Sequence, residues 1–408
     1  MRIVIVANDT RGGIQPYLAL GMGLREAGHD VVFVAPADFA PSIDEAGLIH
    51  APLSGSVEEL VRARAGAAEG GAFSGMRLAA REMKSRISDW TRETLDASAG
   101  ADMVTGGIGG MVTGLAAADR LGIPFVEAHL QPLRAPTSAY QGALFGATPR
   151  WLGPVGRRVS HTLTELGTSM PFAAGMKAGR SAIGVEGRSS ARDGQPVLYG
   201  FSRHVVPVPS DREGRRHVTG WWFHDSSLGW MPPPGLDEFL ARPGPVVSIG
   251  FGSMTSDNPS ALAQLVLEAI RRAGVDAVLL SGWGGLASVA SADDVFVAAA
   301  IPHDRLFPRV AAIVHHGGAG TTGAALRAGV PSVVIPFSVD QPFWASRVFA
   351  LGVGPLPIPR ARLNADSLAP AISLAIADQQ IRSRAARLGE LIRAEDGVAA
   401  AVRIFGEI

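Results

Sequence analysis

A glycine-rich segment with two histidines, His315-His316-Gly317-Gly318-Ala319-Gly320-Thr321-Thr322, has the residue types of an anion-binding turn. It follows a predicted strand and begins a predicted helix that ends at Gly329. Glycines let the backbone approach a bulky ligand, and the start of a helix offers unpaired N–H groups and a positive dipole end. We therefore predict a diphosphate site, with His315 and the Thr321 hydroxyl as further donors. The alternative is a tight turn whose histidines cap the strand.

Two further loops at strand ends are expected to face the same ligand. The segment Gly250-Phe251-Gly252-Ser253-Met254-Thr255 offers backbone donors and the Ser253 hydroxyl. Asp340-Gln341, after another strand, sets a carboxylate beside an amide. A carboxylate and an amide together suit neighbouring sugar hydroxyls, because both donors and acceptors are present. For Asp340 alone, the alternative is a helix N-cap.

Other kinds of site are excluded by residues that the chain lacks or spaces differently. It has no cysteine, which excludes disulfides, thiolate zinc sites and a cysteine nucleophile. The two lysines, Lys84 and Lys177, do not end a P-loop, and the glycines of residues 106–110 do not complete a dinucleotide fingerprint. No Asp-x-Asp metal clasp and no Gly-x-Ser-x-Gly nucleophile elbow occurs. His315-His316 does not suit zinc, since adjacent side chains do not easily face one ion.

The composition predicts large cores and little net charge. The chain has 408 residues, of which 47% are hydrophobic and 18% charged, enough for two or three domains. Lys and Arg total 37 and Asp and Glu total 37, so no general attraction to nucleic acid or anionic membranes is expected. The apolar start is too short for a signal peptide, and no run reaches the roughly 18 apolar residues of a membrane span. We predict a cytoplasmic protein without stable membrane insertion.

The loops described above require two parallel sheets to position them. Apolar runs at 3–7 and 31–35 flank a predicted helix at 15–27, which is the pattern of a βαβ unit. A second series of strands starts after the prolines at 232–234, and 134–190 are expected to hold only short helices. The chain is predicted to be α/β, with two doubly wound Rossmann-like domains facing across a cleft. The predicted parts are an N-terminal acceptor-binding domain (1–210), a linker (211–236), a C-terminal nucleotide-sugar-binding domain (237–381) and a helix that crosses back to the N-terminal domain (382–408).

As a set, the motifs resemble those of family 1 nucleotide-sugar glycosyltransferases, in the bacterial natural-product and sterol glucosyltransferase branch. The segments that carry the resemblance are His315–Thr322, Leu326–Pro331, Pro336–Trp344, Thr10–Tyr17, Val218–Trp222, Gly250–Met254, Pro302-His303 and Leu306–Pro308. The resemblance covers nearly the whole chain. It implies the GT-B fold and an inverting, metal-independent transfer that needs no bound cofactor.

The resemblance also implies which residues contact the donor. The groups implied at the diphosphate are His315, Ser253, Gly318, Gly320 and Thr321. Those implied around the nucleobase are Trp283, Ile301 and His303, with a partly buried core position as the alternative for Trp283. Those implied at the sugar hydroxyls are Asp340 and Gln341. The first-domain loop implied on the donor side is Thr10, Arg11, Gly12 and Gly13.

The catalytic machinery departs from the family pattern. Relatives carry an Asp or His that acts as general base at the position of Gly13, which has no side chain to accept a proton. A supporting Asp expected after the third strand is replaced by Gly106 and Gly107. The acidic residue that many relatives use for the ribose falls on or near Gly323, so ribose contact must come from elsewhere.

Two residues are candidates for the missing base. Asp9 ends the first strand four residues before Gly13 and faces the cleft if the loop folds as in relatives. Its alternative is a carboxylate that caps the loop. His129, just past the fourth strand, points toward the acceptor side, with a structural histidine as its alternative. Asp9 is the first choice.

The predicted activity is transfer of a hexose or deoxyhexose from a UDP- or dTDP-sugar to a hydrophobic small molecule, a natural product or sterol-like compound. The main alternative is a catalytically weak, glycosyltransferase-like binding or auxiliary protein that lacks the base. A third possibility is a nucleotide-sugar epimerase, which would use the same cleft without an acceptor. Residues 54–98 and 134–180 are expected to build the acceptor pocket.

Overall fold

The protein, seen in a computed structural model, is built from two parallel sheets with helices on their faces. The residues that the structure describes are 1–9, 11–55, 86–134, 136–146, 151, 153–187, 189–207, 215–225, 229–252, 258–282, 290–337 and 339–408. For Arg11 and Pro171 only the backbone is described. The predicted pair of doubly wound α/β domains is confirmed.

The first sheet has seven described strands in the order β3-β2-β1-β4-β5-β6-β7, all parallel. They are β1 (Arg2–Val6), β2 (Asp30–Pro36), β3 (Ile49–Leu53), β4 (Met103–Gly106), β5 (Phe125–His129), β6 (Val197–Tyr199) and β7 (Arg216–Val218). The central strands are buried on both faces, which explains why they appear in the sequence as continuous apolar runs. Strand β7 lies within the predicted linker, so the first sheet extends further along the chain than the sequence suggested.

The second sheet has five described strands in the order β10-β9-β8-β11-β12, again parallel. They are β8 (Val246–Gly250), β9 (Asp276–Leu280), β10 (Val295–Ala298), β11 (Ala312–His315) and β12 (Ser332–Val334). In each sheet the strand order reverses beside the first strand of the domain, and ligands of such folds bind at this reversal, outside the carboxyl ends of the strands.

Helices connect the strands of both sheets. In the first domain they are α1 (Arg11–Glu26), α2 (Ala40–Glu45), α3 (Ile108–Leu121) and α4 (Gly153–Ala182), and residues 86–97 are also helical. In the second domain and beyond they are α5 (Leu236–Leu240), α6 (Pro259–Ala273), α7 (His303–Leu306), α8 (Ala319–Ala328), α9 (Gln341–Ala350), α10 (Ala365–Ala377), α11 (Gln379–Arg393) and α12 (Gly397–Gly406). Helix α6 has the predicted bounds. The side chain of Asn258 caps it by accepting from Ala261 N–H, and Gly274 ends it.

The expectation of only short helices in 134–190 was wrong, because α4 has 30 residues. Its buried face is made of small or polar residues rather than leucines. A Cβ on Gly175 would overlap Ile87, and one on Gly179 would overlap Thr91. These glycines let α4 lie close against the helix at 86–97, a packing for which hydrophobic periodicity gives no signal.

The end of the chain also differs from the prediction of one crossing helix. Helix α11 packs on the second domain, where a Cβ on Gly329 would contact Ala386. Helix α12 packs on α1, where a Cβ on Gly23 would overlap Val398. The crossing to the first domain is therefore made by α12 and by the loop before it, in which Glu395 accepts a hydrogen bond from Ser202 Oγ at 3.0 Å.

Candidate active site

The amino ends of α1 and α8 face each other between the two sheets. Each helix follows a strand that lies next to the reversal of strand order, β1 in the first sheet and β11 in the second. A Cβ built on Gly320 would lie 3.6 Å from the carbonyl oxygen of Gly12. The N-cap residue of α8, Gly318, makes no side-chain cap bond. The first amides of α8 therefore point into the space between the domains without a side-chain acceptor at the N-cap.

His315 ends β11 and presents a buried donor. It is 1% exposed, and its Nδ1 accepts a hydrogen bond from Gly317 N–H at 3.1 Å. Burial, with smaller effects of His316 and His303, lowers the pKa of His315 to about 3, so the ring is neutral near pH 7. Because Nδ1 accepts, the proton is on Nε2, which has no partner among the described residues. A buried N–H group without an acceptor suits an anionic ligand.

His316, which the sequence interpretation did not select, lies between two loops of the site. A Cβ on Gly252 would lie 3.1 Å from its Cε1, and one on Gly318 would lie 2.5 Å from its Nε2. Burial lowers the pKa of His316 to about 4, and its Nδ1 has no partner in the described part of the chain. A signal was present in the sequence: His316 is the first residue past β11, where ligands of such sheets bind.

The loops after β8, β9 and β11 meet at the same edge of the second sheet. A Cβ on Gly282 would overlap the carbonyl of Gly252, so the first two loops touch. Gly317 has φ +88° and is packed beneath Val334, a position and conformation that favour glycine. The predicted donor contacts Thr10, Ser253 and Trp283 lie outside the described residues, as does the side chain of Arg11. Thr321 lies half-buried in the first turn of α8.

Asp340 and Gln341 lie at the start of α9, and their side chains have different partners. The carboxylate of Asp340 accepts from Trp344 Nε1 at 2.9 Å and is hydrogen-bonded to the side chain of Gln131 in the first domain. Burial raises the pKa of Asp340, although these bonds oppose the rise. Asp340 is at the N-cap position but makes no cap bond. The Oε1 of Gln341 accepts from Phe337 N–H at 2.7 Å, which holds the turn before α9.

The segment predicted at the nucleobase divides between the core and the site. Ile301 is 4% exposed and belongs to the core on one face of the second sheet. His303 is half-buried and stacks on Phe307, with ring centroids 4.3 Å apart and planes inclined by 13°. His303 also makes a small contribution to the lowered pKa of His315. His303, unlike Ile301, therefore interacts electrostatically with a predicted phosphate donor.

The carboxylate of Asp9 lies directly over Gly13. Asp9 is exposed in the loop after β1, which ends at Val6, so the prediction that Asp9 ends the first strand was wrong. Gly13 is buried in the first turn of α1. A Cβ built on Gly13 would overlap the Asp9 carboxylate and would lie 2.6 Å from the Asp9 Cβ. The structure thus brings a carboxylate to the place where a side chain at position 13 would begin.

The glycines at 106–110 are explained by close packing. Cβ atoms on Gly109 and Gly110 would overlap the backbone at the end of β1. One on Gly107 would overlap the hydroxyl of Tyr17, which donates to the carbonyl of Ala128 at 2.6 Å. Burial raises the pKa of Tyr17, and the nearby Asp9 carboxylate adds to this rise. Position 107 has no room for the carboxylate expected there, because Tyr17 fills the space.

His129, the second candidate base, lies in a buried ionic cluster. It is 1% exposed, and its Nε2 is 2.8 Å from Oε2 of Glu127. Arg134 and Arg192 approach the same carboxylate at 3.2 and 3.3 Å. Burial would raise the pKa of Glu127, but its bond to His129 and the charges of His129 and the two arginines outweigh burial and lower it. Glu127 satisfies one ring nitrogen of His129, whereas Nδ1 has no hydrogen-bond partner among the described residues.

Gly323, where an acidic residue was expected, faces an indole. A Cβ on Gly323 would lie 2.6 Å from Trp221 Nε1 and 2.7 Å from Trp221 Cε2. Trp221 is 5% exposed and packs beside Phe223 and Trp344, with ring centroids 6.1 Å apart and tilted planes in both pairs. Glycine at 323 is therefore required by the packing of the interdomain segment on α8.

Two family models match the two ends of the chain. Residues 3–130 match the glycosyltransferase family 28 N-terminal domain, and residues 281–402 match the C-terminal domain described as erythromycin biosynthesis protein CIII-like. The second match contains β11, α8 and α9, which carry the histidines and Asp340.

Curated relatives extend the match over the whole chain. The O-mycaminosyltylonolide 6-deoxyallosyltransferase of Streptomyces fradiae is 34% identical over 419 residues, which cover 98% of this chain and 95% of that protein. The chain belongs to the GT-B glycosyltransferase family. The sterol 3-beta-glucosyltransferase of Neosartorya fischeri is 34% identical over 421 residues, but the chain covers only 29% of its length. The resemblance to the natural-product and sterol branch is confirmed.

Solved structures show the same fold for this GT-B family member. The glycosyltransferase SsfS6 of Streptomyces sp. SF2575, crystallised with thymidine diphosphate, has a TM-score of 0.63 at 21% identity, and each chain is fully covered. The spinosyn forosaminyltransferase SpnP has a TM-score of 0.69 at 17% identity, covering 100% of this chain and 98% of the other. No helix among the residues described for this GT-B chain is both long and apolar enough to cross a bilayer.

Proposed function

We propose that this protein transfers a hexose or deoxyhexose from a UDP- or dTDP-sugar to a hydrophobic small molecule, either a natural product or a sterol-like compound. The relatives that support the acceptor class are named for a macrolide and for sterols. A structural neighbour crystallised with thymidine diphosphate supports the donor class. The observation that carries the proposal is the buried Nε2–H of His315, which has no acceptor among the described residues and lies beside the uncapped start of α8.

The same groups supply the chemistry of the leaving group. In the proposed step, the acceptor oxygen forms a bond to the anomeric carbon as the bond from that carbon to the diphosphate oxygen breaks, which inverts the configuration. The negative charge that develops on the diphosphate is stabilised by the amides of α8 and the ring N–H of His315, with His316 beside them. These donors take the part that a metal ion plays in other transferases, so the proposed reaction needs no added metal.

The acceptor hydroxyl must lose a proton, and Asp9 is the residue proposed to take it. Its carboxylate lies in the loop after β1, over the first turn of α1, which faces the start of α8. This position is on the cleft side of the first sheet, whereas His129 is buried beside Glu127. Proton transfer to a positioned base contributes about 10² to 10⁴ in rate. A carboxylate at this position favours a transferase over an auxiliary binding protein.

The experiment is a transfer assay with the purified chain. UDP- and dTDP-sugars are incubated with sterols and macrolide aglycones, products are identified by mass spectrometry, and the anomeric configuration is read by NMR. Turnover with inversion supports the proposal. Tight binding of dTDP or UDP without turnover on any acceptor would instead favour the auxiliary protein. Sugar-nucleotide interconversion without an acceptor would favour the epimerase.

A further inference from the structure

The first five turns of helix α4 carry their large apolar side chains on the outside, whereas Phe172 and Met176 near its end pack against the core. We call these residues, with the tryptophan that precedes the helix, the α4 ridge; they are Trp151, Val155, Val159, Leu163, Leu166 and Met170. Their side chains are 83, 71, 52, 49, 49 and 69% exposed, respectively. The five residues from Val155 to Met170 are three or four positions apart, which places them along one face of the helix over roughly 22 Å at 1.5 Å per residue.

The opposite face of α4 is polar and buried. Ser160, His161 and Thr164 are 3, 2 and 1% exposed. Ser160 Oγ accepts from Gly142 N–H at 2.8 Å, and a ring nitrogen of His161 is 3.1 Å from the carbonyl of Tyr140. A surface helix ordinarily buries its apolar stripe and exposes its polar one. Over residues 155–170 of α4 this arrangement is reversed, so the core of the domain does not explain the ridge.

The charges near the ridge favour one kind of partner. Among the exposed side chains of α4, Arg157, Arg158 and Lys177 are cationic, and Glu165 is the only carboxylate in the described part of this helix. The guanidinium of Arg157 donates hydrogen bonds to the carbonyls of Ser138 and Ala139. Among the described residues, no hydrogen bond of this kind holds the side chain of Arg158 or Lys177. A convex apolar ridge with cations beside it, and tryptophan at one end, has the composition of a helix that lies in the interface of an anionic bilayer.

From these observations we propose that the α4 ridge docks the protein on the surface of anionic lipid bilayers. The ridge would enter the boundary between headgroups and acyl chains while Arg158 and Lys177 contact lipid phosphates. The chain as a whole has no net charge, so this attraction is local to α4. Docking goes beyond the proposed sugar transfer and does not depend on it.

The position of the ridge connects docking with the cleft. The buried face of α4 holds the segment 137–146, and Gln141 in that segment donates to Ser346 Oγ of α9 at 2.8 Å. A Cβ on Gly146 would lie 3.1 Å from Pro342, also in α9. The ridge is therefore one helix thickness from the rim of the cleft. If the proposed function holds, docking brings the cleft close to the phase in which a hydrophobic acceptor dissolves.

The test is sedimentation of the full chain with lipid vesicles. We expect the protein to pellet with phosphatidylcholine vesicles that contain phosphatidylglycerol, and less with phosphatidylcholine alone. Leu163→Ser combined with Leu166→Ser should abolish pelleting. Arg158→Glu combined with Lys177→Glu should weaken it about tenfold or more, because each cation near an anionic surface adds to the affinity. Leu356→Ser, at an exposed apolar residue far from α4 in sequence, is the matched control and should bind as the original protein does.

Thermal unfolding confirms that each variant is folded, and the oligomeric mass is measured by light scattering without lipid. The proposal is overturned if the protein stays in the supernatant with both vesicles, or if the ridge variant and the Leu356→Ser control bind equally. It is also overturned if the protein is a dimer that the ridge variant converts to a monomer while vesicle binding is absent. In that case the ridge is a contact between two copies of the chain.

Discussion

The carboxylate of Asp9 and a side chain at position 13 compete for the same space. A Cβ built on Gly13 would lie 2.6 Å from the Cβ of Asp9, closer than such atoms approach in proteins. In this conformation of the loop, a carboxylate at 9 and any side chain at 13 are mutually exclusive. Only one carboxylate therefore fits at this place, and in this chain it comes from the loop after β1 rather than from the first turn of α1.

Asp9→Asn should lower kcat by about 10²-fold or more, because the acceptor loses its base while the shape of the loop is kept. Binding of UDP or dTDP, measured by calorimetry, should be unchanged. Asp44→Asn, at an exposed carboxylate in α2, is the control and should have full activity. Turnover of Asp9→Asn within a few-fold of the original protein would contradict the assignment.

Moving the carboxylate from position 9 to position 13 also tests whether Asp9 is the base. Gly13→Asp alone should not raise turnover, because its side chain collides with Asp9. Asp9→Gly should lose activity, and Asp9→Gly combined with Gly13→Asp should recover a large part of it. Transfer rates at saturating donor decide the matter. A sharp rise in turnover for Gly13→Asp alone would show that Asp9 does no proton transfer.

His315→Ala and His316→Ala should each weaken the binding of UDP or dTDP. A hydrogen bond to a charged group is worth about 1.5–3 kcal/mol, which corresponds to tenfold or more in affinity. Titration calorimetry measures the loss, and His29→Ala, before β2 at the other end of the first sheet, is the control. Unchanged affinity in His315→Ala would remove His315 from the donor site.

The same two histidines should make the fold sensitive to acid. Their pKa values are about 3 and about 4 in the folded protein and near 6.5 when unfolded, so the unfolded chain binds more protons between these limits. The two histidines therefore leave the free energy of unfolding unchanged above pH 6.5. As the pH falls from 6.5 toward 4, each histidine lowers that free energy by about 1.4 kcal/mol per pH unit. Urea unfolding from pH 7 to 4.5 measures the free energy of unfolding at each pH. Its slope against pH should be smaller in His315→Gln and in His316→Gln than in the original protein. Equal slopes would contradict the lowered pKa values.

Sugar transfer should persist after treatment with EDTA. In the proposed mechanism the start of α8 and the ring of His315 meet the charge of the diphosphate, so a divalent ion is not needed. Rates are compared in chelator and with added Mg²⁺ or Mn²⁺, using one donor and one acceptor. Activity that disappears in EDTA and returns with the metal would contradict this part of the mechanism.

Val339→Gly should stabilise the protein by about 1 kcal/mol. Val339 has φ +57°, a conformation that costs an L-residue about 1–2 kcal/mol and that a β-branched side chain adopts rarely. Its side chain is 60% exposed, so little packing is lost with it. Val339→Ala, which keeps a Cβ, should gain much less. Urea unfolding measures both variants, and a loss of stability in Val339→Gly would show that the side chain has a packing role.

The strands and helices around the donor site could be predicted, because local rules determine them. β8 and β11 are continuous apolar runs, and α6 starts at a capping Asn258 and ends at Gly274. Helix α4 could not be predicted in this way. Its buried positions are serine, threonine, histidine and glycine, so the pattern that normally identifies a helix face lies on its exposed side.

Within the candidate site, the sequence predicts the segment around β11 but not the contacts of each residue in it. The sequence predicts His315 but not His316 as a phosphate donor, because residue type and position in the chain do not tell which ring points between the loops. The family pattern indicates a lost carboxylate at Gly107, whereas in the structure the hydroxyl of Tyr17, 90 residues earlier in the chain, fills the space of a side chain there. Contacts between residues so far apart depend on the assembled fold, and one sequence carries no direct record of them.

The return of α12 to α1 has a consequence for the order in which the protein can fold during synthesis. The first domain is discontinuous: its own strands and helices are made first, but the helix that covers α1 follows the whole second domain along the chain. While the ribosome adds the residues of β8 to α11, the outer face of α1 around Gly23 remains uncovered. The domain that leaves the ribosome first is therefore completed only after the other has emerged, and in a cell both should reach protease resistance together.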